Sequence, residues 1–192
     1  PDAVTGGTVD ISLDLERSSL GEVIRVLHGH DIGVHGQVSA RARLTGPVSD
    51  IRIAGRLEVS DVHRWDLMPP YAGFWPFDFT GRLDLSAQTL DIETSPGQQI
   101  GFAVRASEFL KQPKWAATVT LRSVPIAEAA SLSREMGLPV PEGLEAAGNL
   151  SGAAGYSPVS GIAGMLGVED VSVRAPGAPE LRFARGELVI GN

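Results

Sequence analysis

The sequence has no cysteine and fewer basic than acidic residues. The first absence excludes sites built on thiols, and the second argues against a nucleic-acid-binding surface. Without cysteine the chain forms no disulfide and offers no thiolate ligand to zinc. Its net charge of -7 argues against non-specific binding of nucleic acid, which requires a basic surface. A chain without cysteine also suits an oxidising compartment, where a stray thiol is a liability.

A long apolar helix is missing as well. The longest stretch without charge covers residues 146–168 and could span a bilayer by length, but its glycines, serines, Asn149 and Pro158 make it a poor transmembrane helix. We interpret this stretch as turns and strands. No signal peptide is visible and the chain opens at Pro1, so we expect a piece of a longer protein whose membrane anchor lies elsewhere.

The usual motifs of enzymes are absent from the sequence. There is no Gly-x-Ser-x-Gly elbow, no Walker loop and no glycine fingerprint for a dinucleotide. Acidic residues such as Asp84 and Asp91 fall at the polar positions of alternating segments, where solvation explains them. We therefore predict a protein that is not an enzyme and that binds no cofactor.

What the sequence has in abundance is alternation of apolar and polar residues. Val9, Ile11, Leu13 and Leu15 alternate with polar side chains, a period of two that gives a strand one apolar and one wet face. The same pattern recurs at residues 51–59, 79–85, 90–92, 100–104, 115–121 and 188–190. Strands with one apolar face and one solvent-exposed face, in close succession, indicate an antiparallel sheet.

Two short helices are predicted to interrupt the strands. Ser19 and Glu22 have the spacing of a capping box, and an apolar helical stripe follows them as far as Gly29. The second helix is predicted to begin at Pro125, a favourable first-turn residue, and to stop at Gly137.

The two halves of the sequence can be aligned with each other. The string PVSDI at residues 47–51 returns as PVSGI at 158–162, and AGRLEV at 54–59 returns as AGMLGV at 163–168. We therefore predict two similar units, residues 1–112 and 113–192, the second truncated where the sequence ends. The predicted fold is mainly β: an extended, twisted antiparallel sheet, groove-like or half-barrel-like, whose two similar units each carry one short helix.

One group of residues could bind a metal ion. His28, His30, Asp31 and His35 lie close together in the sequence, and three imidazoles with a carboxylate could bind zinc or nickel. Alternatively, the histidines mark a polar helix end, where a cation suits the negative end of the dipole. The second unit has no matching cluster, so we favour the helix end and predict no metal site.

A second candidate site is aromatic. Residues 69–77 contain Tyr71, Phe74, Trp75 and Phe77, and such rings bury much area at low entropic cost. The segment could contact a sugar, an entering lipid or a protein partner. It could instead be a loop that folds back and plugs the open end of the sheet, which is the interpretation we favour.

The phrase GPVSDIRIAGRLEVSDV at residues 46–62 resembles the repeated phrase of the AsmA-like proteins, in which glycines and short turns separate alternating strands before Asp-Val. Residues 161–173 and 186–190 are similar to it, and the resemblance covers most of the chain. It implies a protein like the bridge-type lipid carriers, anchored in the bacterial inner membrane by an N-terminal helix. It also implies a groove-shaped sheet across the periplasm and a link to outer-membrane biogenesis and phospholipid traffic. The family has no catalytic motif to carry over.

Alternation and resemblance lead to one functional expectation, an apolar groove for phospholipid or other acyl chains. Two helices cannot cover so many apolar strand faces, so either the sheet folds over itself or an apolar ligand occupies the face. The residues expected to face lipid are Ile51, Ile53, Leu57, Val59, Phe79, Leu83 and Leu85. The alternative is a structural or protein-interaction module of the cell envelope without lipid cargo, whose partners would be other envelope proteins.

Overall fold

The computed structural model describes residues 7–28, 30–31, 33–64 and 73–191, without the side chains of 26–28. Its elements are β1 (Thr8–Ser19), α1 (Leu20–His28), β2 (Val34–Pro47), β3 (Ile51–Arg64), β4 (Phe74–Asp84), β5 (Thr89–Thr94), β6 (Ile100–Ser107), β7 (Lys114–Pro125), α2 (Ile126–Glu135), β8 (Glu145–Ser157), β9 (Gly161–Arg174) and β10 (Leu181–Ile190). The strands form a single antiparallel sheet. The prediction of a mainly β protein built on an antiparallel sheet is therefore confirmed.

The sheet is a meander in which each strand pairs with its neighbours in sequence, from β1 at one edge to β10 at the other. It is not closed, because β1 and β10 do not pair with each other. Consecutive connections alternate between two rims. The turn rim consists of the turns at residues 48–50, 85–88, 108–113 and 158–160, and the helix rim carries α1, α2 and the connections at 95–99 and 175–180.

Both helices lie where the sequence predicts them. The backbone N–H of Glu22 donates to Ser19 Oγ at 3.4 Å, which satisfies one of the unpaired donors at the start of α1. Pro125 directly precedes α2, and Gly137 follows its end with a φ of 74° and an N–H bonded to the Arg134 carbonyl. A left-handed glycine after the last turn is a common way for a helix to stop.

Few side chains are fully buried. Among the described residues the buried hydrophobic ones are Val38, Ile51, Ile53, Val124 and Val171. A single layer of sheet has no second layer to cover its apolar side, which explains this small number. Neither helix in the described ranges is long and apolar enough to cross a membrane.

Candidate functional site

The candidate site is one face of the sheet, which the strand register makes almost wholly apolar. Residues that pair across antiparallel strands point to the same side, and the pairs Ile51–Leu83 and Leu57–Phe77 begin a set that runs through all ten strands. Between the bulges its members are Val9, Ile11, Leu13, Leu15, Val38, Ala40, Ala42, Leu44, Ile51, Ile53, Gly55, Leu57, Val59, Trp75, Phe77, Phe79, Gly81, Leu83, Leu90, Ile92, Thr94, Ile100, Phe102, Val104, Ala106, Trp115, Ala117, Val119, Leu121, Leu150, Gly152, Ala154, Tyr156, Ile162, Gly164, Leu166, Val168, Gly186, Leu188 and Ile190. We call this set the apolar face.

Thr94 is the one member of the apolar face with a hydroxyl on an aliphatic side chain, and that hydroxyl is already engaged. Its Oγ1 accepts a hydrogen bond from the Phe102 N–H at 3.1 Å and lies 3.4 Å from the Phe102 carbonyl, to which it donates. The hydroxyl therefore completes the end of the β5–β6 ladder. It adds no free polar group to the face.

Exposure divides the apolar face into a covered part on β2 and β3, where Val38, Ile51 and Ile53 are buried, and a larger exposed part. Ile51 on β3 is 2% exposed, whereas Leu13 on β1 is 53% exposed and Leu188 on β10 is 59% exposed. Large apolar side chains on Trp115, Val119 and Ile162 are exposed as well. Contiguous exposed apolar surface of this extent marks a site of interaction.

Helix α2 arches over one end of the apolar face. It packs against β7 and β8 at its base and also reaches β3, several strands away. Beneath it lies an open cavity of about 620 Å³. The cavity is lined by Trp75, Phe77, Ile100 and Val124 from the sheet and by Leu132 from the helix, among others. The sheet thus curves towards its apolar side at the helix rim.

Three phenylalanine rings lie side by side next to this cavity. Phe77 and Phe79 on β4 approach Phe102 on β6, with ring centroids 5.7 Å and 6.5 Å apart. Strand β5 lies between those two strands, so the rings meet above Thr94. Aromatic edges and faces at these distances attract each other and stiffen this part of the wall.

The aromatic segment is a strand, which corrects the expectation of a loop for Phe74, Trp75 and Phe77. All three belong to β4; Trp75 and Phe77 lie on the apolar face, and Phe74 is exposed on the other side. Strand β5 pairs only with residues 79–84 of β4. The part of β4 before Phe79 therefore has an edge that β5 does not cover. Pro76 lies there, and a proline, which has no N–H to donate, is tolerated at such an edge. Tyr71 lies outside the described residues.

Leu85 corrects a second expectation, because it does not lie on a strand. Strand β4 ends at Asp84, whose carboxylate accepts hydrogen bonds from the N–H groups of Ser86 and Ala87. Such a turn ends a strand even where the alternation continues. The Leu85 N–H donates instead to the Val48 carbonyl at 3.0 Å. The six other residues expected to face lipid, from Ile51 to Leu83, belong to the apolar face.

The opposite face is polar from β1 to β5, where several of its charges are paired, but it becomes apolar where β9 meets β10, at the exposed pair Met165 and Val189. Arg43 donates to both oxygens of Asp10 at 3.0 and 3.1 Å, and Arg56 contacts Glu58 and Asp78 at 3.0 and 3.3 Å. The hydrogen bond and positive charge of Arg43 hold the pKa of Asp10 below its ordinary value. These exposed pairs add little stability individually. They keep this face hydrated and so set the direction in which the sheet presents its apolar side.

The histidines do not assemble a ligand set among the residues that the structure describes. The rings of His35 and His63 stack with centroids 5.7 Å apart, while the side chain of His28 lies outside the description. No group of three His, Cys, Asp or Glu side chains suited to a metal ion occurs in the described ranges. Sequence reasoning missed His63 as a neighbour, since it comes from β3 and only the register reveals it.

In comparisons with known proteins, no protein-family model, no curated protein and no solved structure matches this chain.

Proposed function

We propose that the apolar face binds the acyl chains of phospholipids and serves as a lipid-carrying groove. One observation carries the proposal: the face is apolar on all ten strands and is left open at both edges. A structural sheet would need a second layer to cover such a surface, whereas an acyl chain requires no polar partner. The paired charges on β1 to β4 of the opposite face keep that side of the sheet in contact with water.

The dimensions of the face suit acyl chains. Ten strands make nine steps, and at about 4.8 Å a step the face extends about 43 Å across the strands. An acyl chain fills half of a bilayer core of about 30 Å, or about 15 Å, so chains can lie end to end. Burying about 15 methylenes gains roughly 12 kcal/mol before the costs of association are subtracted.

The proposal places the chain in the bacterial envelope. The resemblance of residues 46–62 to AsmA-like proteins supports a role in outer-membrane biogenesis or phospholipid transport without catalysis. It also supports a periplasmic location, with a tether to the inner membrane supplied by another part of the protein. The absence of cysteine is compatible with that compartment.

We further propose that the sheet consists of two similar units, residues 1–112 and 113–192. Strand, helix and three strands follow in the same order from β1 to β4 and from β7 to β10. The first ladder of each unit has a bulge, after Leu15 and after Leu121. The second ladder has another, at Gly36 and Gly148, which both have positive φ. Similar losses of stability on alanine substitution of the two glycines would support the proposal, and a loss at one alone would contradict it.

Photocrosslinking tests the lipid-binding proposal. The purified chain is loaded with a phosphatidylcholine whose acyl chain carries a diazirine, and the crosslinked residues are identified by mass spectrometry. We expect crosslinks on the apolar face. Leu83→Asn or Val119→Asn should lower the yield about tenfold, because each places an unpaired amide against the acyl chain.

Arg82→Asn is the matched control, since Arg82 neighbours Leu83 on the polar face and should leave the yield unchanged. Val119 is 47% exposed, so its variant should fold even if the Leu83 variant does not. A wild-type chain that never crosslinks through the apolar face would contradict the carrier. The alternative, an envelope module with protein partners only, would then be the better account.

A further inference from the structure

A patch of the turn rim exposes aliphatic side chains that its own turns hold in place. Leu110 in the β6–β7 turn is 73% exposed and Val159 in the β8–β9 turn is 97% exposed. Strands β7 and β8 pair directly, so the two turns are neighbours. The Leu110 N–H donates to Gln88 Oε1 at 3.4 Å, and Ser157 and Ser160 share a 2.7 Å hydrogen bond beneath Val159. Both tips therefore have a defined shape.

Aromatic rings and lysines adjoin these tips. Trp115 and Tyr156 contact each other with ring centroids 4.7 Å apart, and both are exposed. Of the two lysines of the sequence, Lys111 lies in the same turn as Leu110, and Lys114 follows that turn as the first residue of β7. Lys114 contacts Glu108 at 2.6 Å, so the turn and the start of β7 together keep a net positive charge in a chain of net charge -7.

We infer that this patch binds the surface of an anionic lipid bilayer. Leu110 and Val159 would enter the boundary between headgroups and acyl chains, Trp115 and Tyr156 would lie at headgroup depth, and the lysines would contact lipid phosphates. Lysine is depleted in protein–protein interfaces, which favours a membrane over a protein as the partner. The inference does not depend on lipid transport along the apolar face, because Leu110, Lys111 and Val159 lie in the turns beyond that face and only Trp115 and Tyr156 belong to both.

The absence of cysteine permits a site-specific test on the whole chain. An environment-sensitive fluorophore is attached to Val159→Cys and, as the matched control, to Leu138→Cys. Leu138 is 57% exposed in the connection after α2, on the helix rim. With vesicles of phosphatidylcholine and phosphatidylglycerol, the label at position 159 should shift to the blue while the label at 138 should not. A shift at position 138 alone, or at neither position, would overturn the inference.

Co-sedimentation with the same vesicles supplies the second measurement. The double variant Leu110→Ser, Val159→Ser should bind about tenfold more weakly, because the buried methylenes are lost. Lys111→Gln with Lys114→Gln should reduce binding to these vesicles to the level seen with pure phosphatidylcholine. Unchanged binding by the serine variant would refute the role of the patch. Binding abolished by Leu83→Asn but unaffected by the serine variant would assign the vesicle contact to the apolar face instead.

Self-association is examined in the same samples without vesicles. If sedimentation velocity shows an oligomer that the serine variant dissolves, the patch is an interface between copies of the chain and the membrane assignment fails. A monomer in both samples, together with the expected shift at position 159, supports it.

Discussion

Two alanine substitutions on the apolar face distinguish an open groove from a filled core. Ile51 and Leu13 lie on the same side of the sheet and differ in cover, since Ile51 is 2% exposed and Leu13 is 53% exposed. Each substitution removes aliphatic carbons of similar number. The difference between their effects therefore reports how much of the face is covered by protein.

The expected magnitudes follow from burial. Truncating a fully buried isoleucine to alanine costs about 2–5 kcal/mol, because a transfer loss and a cavity add together. At Leu13 three carbons at roughly 0.8 kcal/mol each would give about 2.4 kcal/mol under full burial, and about half of that at its actual exposure. We expect Ile51→Ala to lose roughly two to four times as much free energy of unfolding as Leu13→Ala.

Equilibrium unfolding in urea measures both losses, with an unchanged slope on denaturant concentration as the check that the unfolding reaction is the same. If Leu13→Ala costs as much as Ile51→Ala, a further layer of protein covers β1 and the open face does not exist. A cost below about 1 kcal/mol at Ile51 would show that the apolar face is loosely packed even where it is most covered.

Two further predictions concern the backbone and pH. Gly36→Ala and Gly148→Ala should each cost about 1–3 kcal/mol in urea unfolding, because φ is positive at both positions. Gly167→Ala, whose added carbon would meet nothing closer than 3.8 Å, should be near neutral. The hydrogen bond from the Ser86 hydroxyl, with backbone N–H bonds, lowers the pKa of Asp84. The stabilisation that the Asp84 carboxylate contributes is therefore present above the unfolded pKa of about 3.9 and is lost as pH falls through the lower folded pKa. The melting temperatures of wild type and Asp84→Asn should accordingly differ at neutral pH and converge in acid.

Alternation is sufficient to predict the two faces of the sheet, because successive side chains of a strand point to opposite sides whatever strand it pairs with. It placed Ile51, Ile53 and Leu83 on one side without any knowledge of the register. It failed at Leu85, where the carboxylate of Asp84 turns the chain while the apolar period continues.

The arrangement across strands could not be predicted from the sequence. The approach of Phe77 to Phe102 depends on the shortness of β5, and the reach of α2 to β3 depends on the curvature of the whole sheet. Neither has a local signal in the chain. The loop interpretation of Phe74 and Trp75 is wrong for the same reason, since a strand through Pro76 is compatible with the sheet only because β5 stops short of it.

The strict sequential order of the strands has a consequence for how the sheet is made. Each strand bonds only to the strands just before and just after it, and the longest connection between paired strands is residues 126–144, so no strand waits for a distant partner. Topologies with local pairing fold quickly because little chain entropy is lost before contacts form. A chain that emerges N-terminus first can add β3 to the paired β1 and β2 as soon as β3 appears, and each later strand can join the sheet as it emerges.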